Sequence, residues 1–445
     1  MNGGELRREL GLRDLVLFNI AAVIGIRWLA AAAHTGSGSL GLWALAAVLF
    51  FVPSALAVAG LSARFPEEGG LYAWTKHAFG PWHGFLCGWC YWLSNLFYFP
   101  NLLLAGLGMA AYAAGAGDER ALVVWGSVAV LWLALLTNLA GLSVGKWTGN
   151  LGAIATYSAG LLLIGFGAVA WMRHGPASRL DIVPSWDWDK LNFWPQVAFA
   201  FSGLELGATL SGEIRHPERT VPRAAWISAA AIALFYGAGT LAMLVTLPSS
   251  RITAFTGLVE VARAAGQSLA APWLLPLMAG LIGLGVAGQL SAWVAGSARV
   301  PFAIGIDRYL PPAFAKVHPR WGTPYVSILA QGAACTLFLA VLQAGENVKG
   351  VYQLLVDMTV ITYFVPFLYL FAAAWRYGQR WSAASGLGVT LLALGLSLLP
   401  PPEAASPALF EWKLLGGSLL LAAAGRLTYR YGARCRGPAP AHPGG

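Results

Sequence analysis

Two ionisable side chains lie inside long apolar runs of this chain, and each stands near a glycine. Arg27 follows Ala22-Val-Ile-Gly-Ile, and Glu205 follows Phe199-Ala-Phe-Ser-Gly-Leu. A charge at lipid depth is costly, faces protein or a water-filled cavity, and marks a functional site by default. Gly25 and Gly203 weaken helical winding beside these charges. Unwound turns bare N–H and C=O groups, which are tolerated at that depth only inside protein or along a cavity. The half-helix N-termini then favour a carboxylate, and freed carbonyls favour an amine or a cation. An amino acid carries both groups. The plain alternative is two ordinary glycines in kinked helices; the neighbouring charges favour a binding site.

As a pair, Arg27 and Glu205 admit two readings. In one they form a buried ion pair that fastens the two broken helices together. In the other Arg27 lies near the solute and favours an acidic side chain, while Glu205 takes up a proton. Burial and a nearby arginine push a carboxyl group in opposite directions. Phe199, Phe201 and Trp293 are candidates for gating or lining a pocket. Asp357 either lines an outer vestibule or bonds locally, for instance to Thr359. His34 and Thr35 end an apolar run and read as interfacial.

Other spacings have bland explanations. Cys87-Gly-Trp-Cys90 has redox or zinc-like spacing, yet an i, i+3 pair in an apolar run shares a helix face. No second Cys or His pair completes a metal set. Gly283-Leu-Gly-Val-Ala-Gly288 matches a dinucleotide fingerprint, but it follows no strand and reads as a close helix–helix contact. No metal or cofactor is expected. No nucleophile–base arrangement at membrane depth suggests an enzyme.

The elements that position these residues follow from composition. Of 445 residues 58% are hydrophobic and 11% are charged, against about 25% charged in soluble domains. A soluble fold could not hide this much apolar surface, so the expected solvent is the lipid bilayer. The net charge of +9 is scattered over short loops, which fits membrane orientation rather than nucleic acid. A span needs about 20 apolar residues. That rule predicts an all-α polytopic protein of about twelve spans, near 13–35, 40–63, 82–113, 121–141, 148–172, 192–213, 223–247, 271–300, 324–343, 351–375, 383–400 and 409–429. With the N-terminus inside, 19 of the 28 Lys and Arg fall inside, 8 outside and Arg27 in the membrane. This bias predicts two cytoplasmic termini.

Met1–Leu12 is polar and runs directly into a span, so no cleavable signal peptide is expected. The Pro/Gly-rich tail Gly437–Gly445 is expected to be disordered. Interrupted helices in corresponding positions of two five-helix halves suggest inverted repeats. The expected organisation is a cytoplasmic N-terminus (1–12), a first repeat (13–172), an extracytoplasmic amphipathic loop (173–191), a second repeat (192–375), two further helices (376–430) and a cytoplasmic tail (431–445).

Three motifs resemble the amino acid–polyamine–organocation (APC) superfamily of permeases. They are Arg64-Phe-Pro-Glu-Glu-Gly-Gly-Leu-Tyr-Ala-Trp-Thr-Lys-His-Ala-Phe-Gly80, then Phe201-Ser-Gly-Leu-Glu205 with Glu213-Ile-Arg-His-Pro-Glu-Arg-Thr-Val-Pro-Arg-Ala224, and Ser297-Ala-Arg-Val-Pro-Phe-Ala-Ile-Gly-Ile-Asp-Arg-Tyr-Leu-Pro311 followed by Gly322-Thr-Pro324. Their order and positions fit over about residues 10–430. The resemblance implies a LeuT-like fold of two inverted five-helix repeats, with the first and sixth helices broken, plus two C-terminal helices. It implies an amino acid or amine bound at Ile24, Gly25 and Ile26 and at Phe201, Ser202 and Gly203. An aromatic gate maps onto Phe199, a polar third-helix contact onto Asn95, and a carboxylate implicated in proton response onto Glu205.

Two departures bear on substrate and coupling. Ile26-Arg27-Trp28 replaces the family's usual second glycine and small or apolar residue, which puts generic neutral amino-acid selectivity in question. Thr156-Tyr157-Ser158 lacks the fifth-helix lysine that replaces a sodium ion in several members, and coupling stays open. The expected function is secondary transport of amino acids or related amines across the cytoplasmic membrane, with a proton or a counter-substrate as partner, by a monomer or homodimer. An acidic amino acid/amine exchanger and a non-transporting amino-acid sensor are the alternatives.

Overall fold

The computed structural model describes residues 8–113, 115, 120–184, 193–342, 348–398 and 407–435. The tail Gly437–Gly445, residues 1–7 and the end of the 173–191 loop lie outside them, as does the side chain of Asp357. The elements are α1 (Leu12–Val23), α2 (Arg27–His34), α3 (Gly38–Arg64), α4 (Leu71–Phe79), α5 (Pro81–Ala113), α6 (Arg120–Leu139), α7 (Leu142–His174), α8 (Trp194–Ala200), α9 (Leu204–Ala208), α10 (Pro217–Thr246), α11 (Gly257–Ser268), α12 (Leu274–Ile306), α13 (Tyr325–Leu342), α14 (Val348–Arg376), α15 (Arg380–Ser397) and α16 (Pro407–Cys435). The described residues form no strand; one isolated parallel bridge joins Leu10 to Ile214.

Seven helices among the described residues are long and apolar enough to cross a membrane, or eight if the bent pair α1–α2 is one span. The longest, α5, α7 and α12, have 33 residues each, about 50 Å at 1.5 Å per residue. That exceeds a hydrocarbon core of about 30 Å, so they must tilt or protrude. Large apolar side chains such as Trp125, Leu161, Leu234 and Leu419 stand exposed on the outside of the bundle. In water this surface would drive association; in lipid it is the solvated face.

Both interruptions fall at the glycines. Helix α1 stops at Val23, α2 begins at Arg27, and the two axes bend by 43°. Helix α8 stops at Ala200 and α9 begins at Leu204. Gly203 has φ of +121°, a conformation open to glycine and strained for any residue with a Cβ. At Gly25 the constraint is contact: a Cβ there would lie 2.7 Å from the Trp28 ring. Helix α1 packs on α10, α7, α12 and α9, which puts the first break in the middle of the bundle.

The Gly283–Gly288 run is a packing seam. A Cβ on Gly288 would meet the Gly152 Cα at 2.3 Å, and one on Gly285 would meet the Thr156 hydroxyl at 2.4 Å. Small residues let α7 and α12 approach closely, as membrane helices do where no hydrophobic force drives them together. Cys87 and Cys90 are free thiols in α5. Among the described residues no group of three His, Cys, Asp or Glu is placed to hold a metal ion.

Candidate functional site

The two breaks face each other. A Cβ on Gly203 would lie 3.1 Å from the Val23 side chain and 3.6 Å from the Ala22 carbonyl carbon. Tyr236 of α10 ties the interruptions together. Its hydroxyl accepts from the Gly25 amide at 3.0 Å, and its proton is shared between the Val23 carbonyl at 2.8 Å and the Ala200 carbonyl at 3.0 Å. From α12 the Trp293 indole donates to the Ala22 carbonyl at 2.8 Å and the Gln289 amide donates to the same oxygen at 3.1 Å. Backbone released by the first break is thus re-satisfied by side chains of two neighbouring helices, as buried polar groups require.

Some main-chain groups at the breaks stay open. Among the described residues, the Ile26 and Arg27 amides find no main-chain acceptor and the Phe201 and Ser202 carbonyls receive no main-chain donor. The Ser202 hydroxyl is buried and has no hydrogen-bond partner among the described residues.

Aromatic rings lie beside the breaks. Phe199 makes edge contacts with Trp28 at 5.8 Å, Tyr98 at 5.9 Å and Tyr363 at 5.3 Å between centroids. Trp293 lies 4.7 Å from Tyr98 and 5.8 Å from Tyr363. The Phe201 ring stacks on Phe51 at 4.5 Å and meets Trp43 at 5.2 Å and Tyr236 at 5.4 Å. Asn95 donates to the Tyr91 carbonyl one turn earlier, and its own carbonyl meets the Cys335 thiol. These contacts join it to neither break.

Glu205 and Arg27 are not an ion pair, which corrects the structural reading of the two charges. The Glu205 carboxylate accepts from the Tyr91 hydroxyl at 3.1 Å and the Gly203 amide at 3.0 Å, and also from the Tyr363 hydroxyl. Donors on α5, α14 and its own first turn occupy both oxygens. Arg27, 4% exposed, has all three guanidinium nitrogens buried without a hydrogen-bond partner among the described residues. Its Cζ lies 4.6 Å from the Trp28 ring centroid and 5.4 Å from that of Tyr98. Arg27 lines a narrow cavity with Ile24, Gly25, Thr156 and Gln289 among others. Its volume of about 10 Å³ is below that of one amino acid. A larger opening of about 390 Å³ lies off the end of α2, around Thr35–Gly38 and Arg179, and does not reach the breaks.

The sequence motifs converge at one end of the bundle. Glu213 binds Arg299 through two bonds of 2.9 Å, with both side chains buried. Lys76 pairs with Asp307 at 2.6 Å, and the Tyr72 hydroxyl bonds the same carboxylate. Glu68 accepts from the Gly212 amide at 2.6 Å and leaves its other oxygen buried without a partner. Burial, and then the Glu213 carboxylate, push the Glu68 carboxyl up to about 8. The N-terminal segment closes over this cluster: the Glu9 and Leu10 amides donate to the Glu213 carbonyl at 2.9 and 3.0 Å, and the Arg215 amide donates to the Leu10 carbonyl at 2.9 Å.

Sequence reading missed Tyr236, Tyr91, Tyr363, Gln289 and Trp28 as site components. Four of them are aromatic residues in apolar helices, a composition that by itself signals packing. Gln289 offered one usable sign, as a lone amide in an apolar span.

A bundle with two interrupted helices meeting at its centre defines a class of membrane permeases. A sequence model described as amino acid permease matches residues 10–394; the chain belongs to this family, a branch of the APC superfamily. It is 27% identical to an uncharacterized transporter of Legionella pneumophila over 93% of this chain and 95% of that one. It is 28% identical to the serine/threonine exchanger SteT of Bacillus subtilis, over 82% and 83% of the two chains. Among solved structures, MhsT in complex with L-phenylalanine matches with a TM-score of 0.60 at 16% identity, covering 96% of this chain and all of that one. The fold is accordingly LeuT-like.

Proposed function

We propose that this permease is a secondary active transporter of amino acids or related amines, working by alternating access. The observation that carries this reading is the pair of adjacent breaks, each with main-chain groups that have no main-chain partner among the described residues, the Ile26 and Arg27 amides at one and the Phe201 and Ser202 carbonyls at the other. The α-carboxylate of a substrate sits at the start of α2, where main-chain N–H groups and the helix dipole favour an anion. The amine sits against the Phe201 and Ser202 carbonyls. Phe199 closes over the solute and must swing for it to leave. The halves 13–172 and 192–375 rock against each other, with both termini cytoplasmic. The Glu213–Arg299 cluster then closes the inner side.

Glu205 is the candidate proton site. Two tyrosine hydroxyls and one amide hold it, and a hydroxyl can turn from donor to acceptor when the carboxylate gains a proton. Gln289, Trp293 and Tyr236 already occupy the Ala22 and Val23 carbonyls, which favours a proton or a counter-substrate over a metal cation at that spot. The name of the Bacillus relative supports exchange as the second mode of coupling.

The test is uptake into proteoliposomes containing purified protein. A panel of labelled amino acids should show saturable flux, and Glu205→Gln should flatten its pH dependence. An unchanged pH profile removes Glu205 as the proton site. Counterflow that persists without a pH gradient selects exchange. Binding without flux in any format rejects transport in favour of a sensor.

A further inference from the structure

Arg27 is a buried cation with no hydrogen-bond acceptor among the described residues. The obvious internal partner, Glu205, is held by Tyr91, Tyr363 and the Gly203 amide. Elsewhere in the bundle the same problem is solved internally: Arg299, also buried, meets the Glu213 carboxylate through two hydrogen bonds and the Ala295 carbonyl through a third. A buried charge without a partner is strongly unfavourable. A group kept in that condition at the lip of a binding site is ready for a counter-charge that arrives from outside.

The surroundings give the missing partner a shape. Trp28 and Tyr98 lie against the guanidinium at 4.6 and 5.4 Å. Aromatic contact orients the planar fork while leaving its N–H groups available for a carboxylate. The guanidinium sits with Ile24, Gly25, Thr156 and Gln289 on the wall of the small cavity beside the first break. It is also a different anion reader from the Ile26 and Arg27 amides, which belong to the backbone at the start of α2. Two such features at one break suit a ligand with two negative groups.

We propose that Arg27 is a specificity-determining residue that pairs with an anionic side chain on the substrate, so that the transported class is acidic amino acids. This deepens the reading of the breaks as an amino-acid site and rests on it. The substrate's α-carboxylate takes the main-chain amides and its side-chain carboxylate takes the guanidinium fork. Loading then neutralises the buried cation, and a neutral side chain leaves it unpaired. Discrimination against glutamine, which has the shape of glutamate without its charge, comes from that difference.

The experiment compares wild type, Arg27→Gln and Arg27→Lys in the full chain. Ligand-induced thermal stabilisation in detergent is read alongside uptake in proteoliposomes, with glutamate, aspartate, glutamine, asparagine and serine as probes and sodium chloride and sodium phosphate as controls. Wild type should prefer glutamate or aspartate over the matching amide by about tenfold or more, as expected when a site built for a polar group meets an analogue lacking it. Arg27→Gln should lose that preference while still binding a neutral amino acid, which shows that the variant is folded. Arg27→Lys should keep part of it. Equal binding of glutamate and glutamine by wild type overturns the proposal, as does a preference that survives in Arg27→Gln. Saturation of the Arg27 effect by chloride or phosphate alone overturns it too, because the anion would then be inorganic. If no amino acid binds or moves in any variant, the amino-acid reading of the breaks fails, and this assignment with it. Neutral-only binding defeats this assignment alone.

Discussion

The hydroxyl of Tyr236 lies 3.0 Å from the Gly25 amide and 2.8 Å from the Val23 carbonyl, and it also reaches the Ala200 carbonyl at the other interruption. One oxygen on α10 therefore bonds both broken helices. Tyr236→Phe keeps the ring and its stacking on Trp43 but leaves several buried main-chain groups unsatisfied. We expect a stability loss of about 2–3 kcal/mol, from unsatisfied-group costs of about 1–3 kcal/mol each, together with a sharp drop in initial uptake. Unfolding midpoints in detergent and uptake rates measure the two effects. Wild-type values for both would show that the breaks hold their geometry without this hydroxyl.

A methyl group on Gly203 meets two obstacles at once. Its φ of +121° is strained for alanine, and the new Cβ lies 3.1 Å from the Val23 side chain. Gly378, with φ of +97° and open space around it, isolates the first obstacle. Both substitutions should cost about 1–3 kcal/mol of backbone strain. Only Gly203→Ala should also abolish substrate binding, measured as loss of ligand-induced stabilisation. Equal binding by the two variants would separate the second break from the solute.

Glu68 makes the closed end of the bundle pH-dependent in a stated direction. Its carboxyl is raised from an ordinary 4.5 to about 8, so the folded cluster binds a proton that the unfolded chain releases. The contribution is complete below 4.5 and is lost progressively as pH rises toward about 8, by linkage. Apparent unfolding temperature should fall across that window, and Glu68→Gln, a permanent mimic of the protonated group, should flatten the slope. A slope unchanged in Glu68→Gln would transfer the dependence to other groups.

The parts of the fold legible from sequence were those encoded locally. Gly25 and Gly203 interrupt apolar runs within a few residues of a charge, and a break can be read at that range. The Gly283–Gly288 run declared a close contact because small residues have few other uses inside a span. Partners were not legible. Glu205 bonds to Tyr91 and Tyr363, which lie 114 and 158 residues away, and nothing about a tyrosine in an apolar helix says whose carboxylate its hydroxyl will find. The same limit hides from the sequence that Glu205 bonds these tyrosines rather than Arg27. The ring neighbours of Phe201, Phe51 and Trp43, come from α3, a choice made by helix packing rather than by local spacing.

The bridge between Leu10 and Ile214 stitches the polypeptide's leading stretch to the linker that leaves the second interrupted helix. Neither can swing alone without shearing the main-chain bonds of Glu9, Leu10 and Arg215. Moving both as one unit keeps those bonds, and Glu213 belongs to that unit while Arg299 belongs to α12. An opening that moved the two together would draw Glu213 away from Arg299 and wet both charges. Hydration of the parted ions would offset part of what their union gave, which suits this contact to a reversible latch rather than a permanent weld.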